Sequence, residues 1–250
     1  MTLWRPELTA SKEICEGRIY RPGCEMIPLR DDNPTTLTPF VTVGLIVLNC
    51  LIFFYQISLG PAAEQFVLSL AAIPADLFDV TRVGNPAVSP WLTIFTSMFL
   101  HANILHLGGN MLYLWVFGNN IEDVMGHGRF VLFYLLVGAM AAFSHALTDP
   151  LSTVPMIGAS GAISGVLGAY VLLFPLVRVQ VLIPIGIFPY LVHVSAVLVL
   201  GLWIVVQVLN GIFGLGGVEG GVAWFAHVGG FMAGILLIKL FARPQSVRAG

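Results

Sequence analysis

Charged residues punctuate this chain into long uncharged stretches, at 33–63, 83–121, 130–148, 150–177, 179–218 and 220–238. Most are long enough for the ~20 mostly apolar residues with which a helix crosses a bilayer. Their apolar cores predict six spanning helices, at 38–56, 105–119, 130–147, 158–174, 190–210 and 222–241. The stretches 83–121 and 179–218 exceed one helix. In the second, Pro184, Gly186 and Pro189 interrupt the run, so the fifth helix is expected to start near Tyr190. In the first, the polar-flecked part before His106 reads as loop. Residues 57–104 then form a long ordered loop that offers Trp91, Phe95 and Phe99 to the headgroup level. The expected fold class is an all-α membrane protein, a six-transmembrane-helix bundle spanning 38–241. A cytoplasmic arm at 1–37 precedes it and a short tail at 242–250 follows.

Composition agrees: 57% of residues are hydrophobic and 10% charged, against about 25% charged in a soluble domain. A net charge of −2 gives no basis for a nucleic-acid partner. The placement of charge says more. Arg5, Lys12, Arg18, Arg21 and Arg30 precede the first predicted span, Arg129 and Arg178 lie in even-numbered connections, and Lys239, Arg243 and Arg248 end the chain. Arg82 alone falls on the other side. The positive-inside rule then makes both termini cytoplasmic and turns the 57–104, 148–157 and 211–221 loops outward. The first 35 residues mix acids and bases with no apolar run and read as neither signal nor transit peptide, which suits a plasma (inner) membrane. Cys15 and Cys24 in the arm and Cys50 in the first span read as free thiols. An odd count argues against a disulfide framework, and no clustered histidine or second cysteine pair completes a zinc site.

Against this background a few polar residues stand out. Ser160 opens the fourth predicted helix within Gly158-Ala159-Ser160-Gly161, and His227 lies in the first turns of the sixth. His106 and Asn110, four residues apart and so on one helix face, open the second. All three helices start at the same face of the membrane, which puts the four side chains in one leaflet. Singly, each has a structural reading: a serine commonly bonds the carbonyl four residues back, and an asparagine or histidine can join helices. The glycines tip the balance. Gly161, Gly165 and Gly168 form one stripe, while Gly230 and Gly234 stand at i+3 and i+7 from His227. Such spacing lets two backbones approach closely. It would bring Ser160 within reach of the imidazole, as a nucleophile and its base require. His106, Asn110 and the Ser160 amide could then supply donors for an oxyanion. No Asp or Glu lies within a predicted span, and Asp149 and Glu219 are loop residues, so the pattern reads as a Ser–His dyad.

These motifs, His106-Leu107-Gly108-Gly109-Asn110, Gly158-Ala159-Ser160-Gly161, Ala226-His227-Val228-Gly229-Gly230-Phe231-Met232-Ala233-Gly234, and Glu122 through Gly126 to Arg129-Phe130, follow one another as in a rhomboid intramembrane serine protease. The chain resembles that family from about Met26 to the end of the sixth helix. The resemblance implies Ser160 as nucleophile, His227 as general base, and His106 with Asn110 at the oxyanion site. It implies that Glu122 and Arg129 brace the cytoplasmic turn after the second helix, and that His101 supports a water-filled entrance. It also implies peptide-bond hydrolysis in transmembrane substrates through an acyl-enzyme, without metal or organic cofactor. Two positions depart from the family pattern. Trp91 is followed by Leu92 and Thr93 where many members have Trp-Arg, and Ser164 stands where some carry an aromatic against the catalytic histidine. A catalytically inactive relative acting as a membrane-protein binder or quality-control factor should lack Ser160 or His227. A small transporter would more often show an inverted repeat or intramembrane acids.

Overall fold

The computed structural model describes residues 26–79, 88–185, 188–214 and 222–243. Cys15, Cys24, Arg82, Gly186 and Glu219, with most of the arm and tail, lie outside the described residues. The long helices are α1 (Phe40–Ser58), α5 (Ile104–Met125), α6 (His127–Thr148), α7 (Ser160–Leu173), α8 (Ala196–Gly214) and α9 (Trp224–Phe241). Between α1 and α5 run the shorter α2 (Ala63–Leu70), α3 (Pro74–Leu77) and α4 (Pro90–Thr96). Among the described residues there are also three strands: β1 (Ile27–Asp31), β2 (Arg178–Ile185) and β3 (Phe188–Ser195).

Among the described residues four helices, α1, α6, α8 and α9, are long and apolar enough to cross a membrane. The bundle is turned inside out relative to a soluble protein. Leu51, Phe54, Leu105, Leu132, Leu198, Leu236 and Leu240 are exposed, while Asn49, Asn110, Asn120, Glu122 and Gln207 are buried. At the centre stands α7, with every residue from Ala162 to Tyr170 buried. Helices α5, α6 and α9 pack around it, α1 lies outside α5, and α8 rests chiefly on α9.

Two expectations need correction. The second helix, expected over 105–119, continues as α5 to Met125, where Glu122 and Asp123 cap neighbouring chain instead of facing lipid. The fifth helix was expected from Tyr190, but residues 188–195 are strand, so the protein is not all-α. Strand β2 pairs antiparallel with β3, from Arg178↔Ser195 to Ile185↔Phe188, and with β1, from Ile27↔Leu182 to Asp31↔Val179. Pro184 and Pro189 pair with each other near the ends of these strands, and the β-branched residues at 179, 181, 192 and 194 follow the period of two that a half-buried strand needs. Val179 and Val181 are fully buried against the bundle. The sheet therefore closes one end of the molecule, called here the sheet end; the other is the Ser160 end.

At the Ser160 end, the segment expected as a long loop folds into α2, α3 and α4. Trp91 and Phe95 are exposed and Phe99 is partly buried. Without the Trp-Arg pair, the segment is fastened by backbone bonds. Ala72 and Met156 form an isolated bridge, Ala75 N donates to Ser152 O, and Gly158 N donates to Ser97 O at 2.9 Å.

Candidate active site

Ser160 is the first residue of α7, so its amide is one of the N-terminal amides that a helix leaves without an intrahelical acceptor. That end of a helix also carries partial positive charge. His227 lies one turn into α9. Its Nε2 stands 2.8 Å from Ser160 Oγ. The glycines explain how two helices bring these short reaches together. A Cβ added at Gly230 would overlap the carbonyl oxygen of Gly161, one at Gly234 that of Gly165, and one at Gly168 that of Phe231. Helices α7 and α9 thus touch backbone to backbone. On its other flank, a Cβ at Gly161 would sit 2.8 Å from Ala141 Cβ of α6.

Helix α5 supplies the remaining wall. Asn103 caps it by accepting from His106 N at 2.9 Å, fixing the turn from which His106 and Asn110 project. Gly158 adopts φ +119°, where a side chain would be strained, and an added Cβ would lie 2.8 Å from His106 Nε2 and 3.6 Å from Asn110 Nδ2. Only a glycine lets the chain leading to Ser160 pass this close to both. Asn110 is buried, yet its Nδ2 has no protein acceptor. His106 takes a long 3.4 Å contact from Ala102 N at Nδ1, which turns Nε2 toward Gly158. The structure therefore places His106 and Asn110 against Gly158, two residues before the serine of the Ser160–His227 contact.

Ser164 does not touch the histidine; its hydroxyl donates to Ser160 O at 2.6 Å. The His227 ring is held from elsewhere. Gln207 Oε1 of α8 lies 2.7 Å from Nδ1. Trp203 is 5.8 Å away between ring centroids at 38°, and Trp224 stands edge-on at 6.2 Å. Sequence reasoning missed Gln207 because it sought an acid as the third member. The available signal was an amide, one of only two in that helix with Asn210, in an otherwise apolar helical run.

The other singled-out residues fall elsewhere. His101 is fully buried behind His106, ring centroids 5.1 Å apart, with neither nitrogen hydrogen-bonded to protein. Asp149 is exposed where α6 ends. Glu122 and Arg129 belong to the sheet end. The Glu122 carboxylate, fully buried, accepts from Val41 N, Thr42 N and Thr42 Oγ1 at the start of α1 and contacts His127 Nδ1 at 2.6 Å. Arg129 reaches the carbonyls of Phe241 and Ala242 at 3.5 Å, where a cation suits the end of α9. Among the described residues no group of three or more His, Cys, Asp or Glu side chains is placed to hold a metal ion.

The family model of the rhomboid domain matches residues 89–244, more than half of the chain and all four of these site residues. The chain belongs to the rhomboid family. This rhomboid is 34% identical over 132 residues to the rhomboid protease GluP of Bacillus subtilis, covering 52% of the chain and 24% of that protein. It is 26% identical over 227 residues to the rhomboid protease AarA of Providencia stuartii, covering 83% and 75% respectively. With mitochondrial rhomboid protein 1 of Saccharomyces cerevisiae it shares 37% identity over 92 residues, 35% of the chain and 27% of that protein. This rhomboid thus spans about a quarter of the length of the Bacillus relative and three quarters of the Providencia one. The family is one of membrane-embedded serine proteases and also includes inactive members.

Proposed function

We propose that this rhomboid is an intramembrane serine endopeptidase in which Ser160 and His227 form the catalytic dyad. The observation that carries the reading is the 2.8 Å contact between Ser160 Oγ and His227 Nε2 beside an amide donor, Asn110 Nδ2, that is buried without a protein acceptor. As Ser160 Oγ attacks a substrate carbonyl, its proton passes to Nε2. The negative charge that develops on the carbonyl oxygen meets Asn110 Nδ2, His106 and the Ser160 amide. His227 returns the proton to the leaving amine as the C–N bond breaks, leaving an acyl-Ser160. Water then attacks the ester, giving a proton to His227, which passes it to Ser160 Oγ as the acyl C–O bond breaks and the acid product leaves. Ser160, His106 and His227 are each only partly buried, which supports access for both water and substrate.

The proposed substrates are transmembrane segments of other proteins. A helix satisfies its own amides, so a scissile bond becomes available only where the segment unwinds, and small or helix-breaking residues should favour cleavage there. In this reading α1, α5, α6, α7, α8 and α9 are six spans and the chain is a multi-pass protein of the plasma membrane. The sheet end and both termini are cytoplasmic, and the site opens outward. No metal or organic cofactor takes part.

A fluorophosphonate probe tests the nucleophile without knowledge of a substrate. The reading predicts covalent labelling at Ser160 that is lost in both Ser160→Ala and His227→Ala. Labelling that persists in either variant overturns the dyad, and an unlabelled wild type favours a binding role without catalysis.

A further inference from the structure

Gln207 occupies the position from which a base is oriented. We propose that it is a positioning residue that holds His227 in the tautomer protonated at Nδ1, a role that rests on the catalytic reading above. A neutral imidazole has one donor and one acceptor nitrogen, and only the acceptor can take a proton from serine. The amide oxygen of Gln207, 2.7 Å from Nδ1, accepts an N–H and so places the ring proton there. The lone pair of Nε2 is left facing Ser160 Oγ at 2.8 Å. A buried amide is costly unless its polar atoms are paired, and Gln207 is 6% exposed within an apolar helix.

One turn earlier on the same face of α8, Trp203 covers the imidazole at 38°. Helix α8 thus supplies both an in-plane acceptor and a covering ring, the support that Ser164 does not give. When the serine proton reaches Nε2, the imidazolium keeps its Nδ1–H on the amide oxygen as a charge-assisted bond. A neutral amide orients the ring without adding the charge that a carboxylate would bring. The fixed tautomer, rather than a third charge, is what Gln207 contributes.

The test compares the purified full chain in detergent micelles with Gln207→Leu, which removes the acceptor at similar volume, and Gln207→Glu, which keeps an acceptor. Nitrogen-15 NMR of the histidines, with His227 assigned by comparison with His227→Ala, reads the tautomer. Fluorophosphonate labelling and cleavage of a single-span reporter read the reaction. The wild type should show Nδ1 protonated. Gln207→Leu should lose that tautomer and slow labelling and kcat by roughly 10- to 100-fold with KM changed less than about twofold, as for a misplaced catalytic group. Gln207→Glu should restore most of the rate. An unprotonated Nδ1 in the wild type, or a Gln207→Leu variant with unchanged tautomer and labelling, overturns the proposal. A wild type that neither labels nor cleaves, yet keeps an Nδ1–H tautomer that Gln207→Leu abolishes, overturns the protease reading alone and upholds the hold on the ring.

Discussion

The two ends of this bundle bury polar groups in opposite ways. At the sheet end the acids are paired. Glu122 has four partners, Asp123 accepts from Thr36 N, Thr36 Oγ1 and Leu37 N, and Asp31 accepts from Tyr170 and Asn120. Asn120 Oδ1 and, two turns into α6, Tyr134 Oη are exceptions there. At the Ser160 end, Asn110 Nδ2, both nitrogens of His101 and His145 Nδ1 are buried without a protein partner. The first end pairs its carboxylates within the protein, and the second, where the proposed chemistry lies, leaves these polar atoms for water or substrate to meet. The sheet end ties β1, α1, α5 and α7 together; in the proposed reading the Ser160 end keeps Asn110 Nδ2 for the oxyanion.

If that contrast is right, substitutions at the two ends should separate stability from activity, and the helix contact joining the ends should matter to both. Gly234→Val carries the largest expected effect, because any side chain there meets the Gly165 carbonyl. Loss of folded protein is expected, measured as the yield of monodisperse protein in detergent and its thermal melt. Asn110→Ala comes next: cleavage should fall by about 10²–10³-fold, the usual cost of an oxyanion donor. Because the amide it removes is unpaired, the melting temperature should hold or rise, and a variant that melts early would break the contrast.

Glu122→Ala should do the reverse. It removes the acceptors of Val41 N, Thr42 N and Thr42 Oγ1 and should cost about 2–3 kcal/mol of stability, read from thermal unfolding. The folded fraction should keep its rate of cleavage. The smallest effect belongs to Asp31, whose carboxyl burial lifts above the ordinary value against the bonds from Tyr170 and Asn120 that favour its charged form. The folded state therefore prefers it protonated. That contribution is fully present below the unfolded value of 3.8 and is lost as pH rises through the higher folded value. Asp31→Asn keeps an acceptor and cannot titrate, so its stability relative to wild type should rise with pH across that window; a flat difference would mean that Asp31 is not the group responsible.

Most helices were legible because charge placement marks their ends. Helices α1, α7 and α9 begin and end within two residues of the uncharged cores read from the sequence. The sheet was not legible, for a physical reason. Strand β1 has only five residues, and its partner β2 lies some 150 positions away, a pairing that no local pattern encodes. The Pro-Gly-Pro interruption at 184–189 marks a break but not whether helix or strand follows. At the candidate site the small residues and the polar pairs announce themselves by spacing. Gln207 does not, because the identity of its partner depends on how α8 faces α9, and α8 is the helix whose start the sequence misplaced.

The most direct measurement of the central claim is cleavage of a single-span reporter by the protein reconstituted in lipid vesicles, wild type beside Ser160→Ala and His227→Ala. The account predicts cleavage within or near the span by the wild type and none above background by either variant, with all three equally folded. Undiminished cleavage by Ser160→Ala or His227→Ala would contradict it.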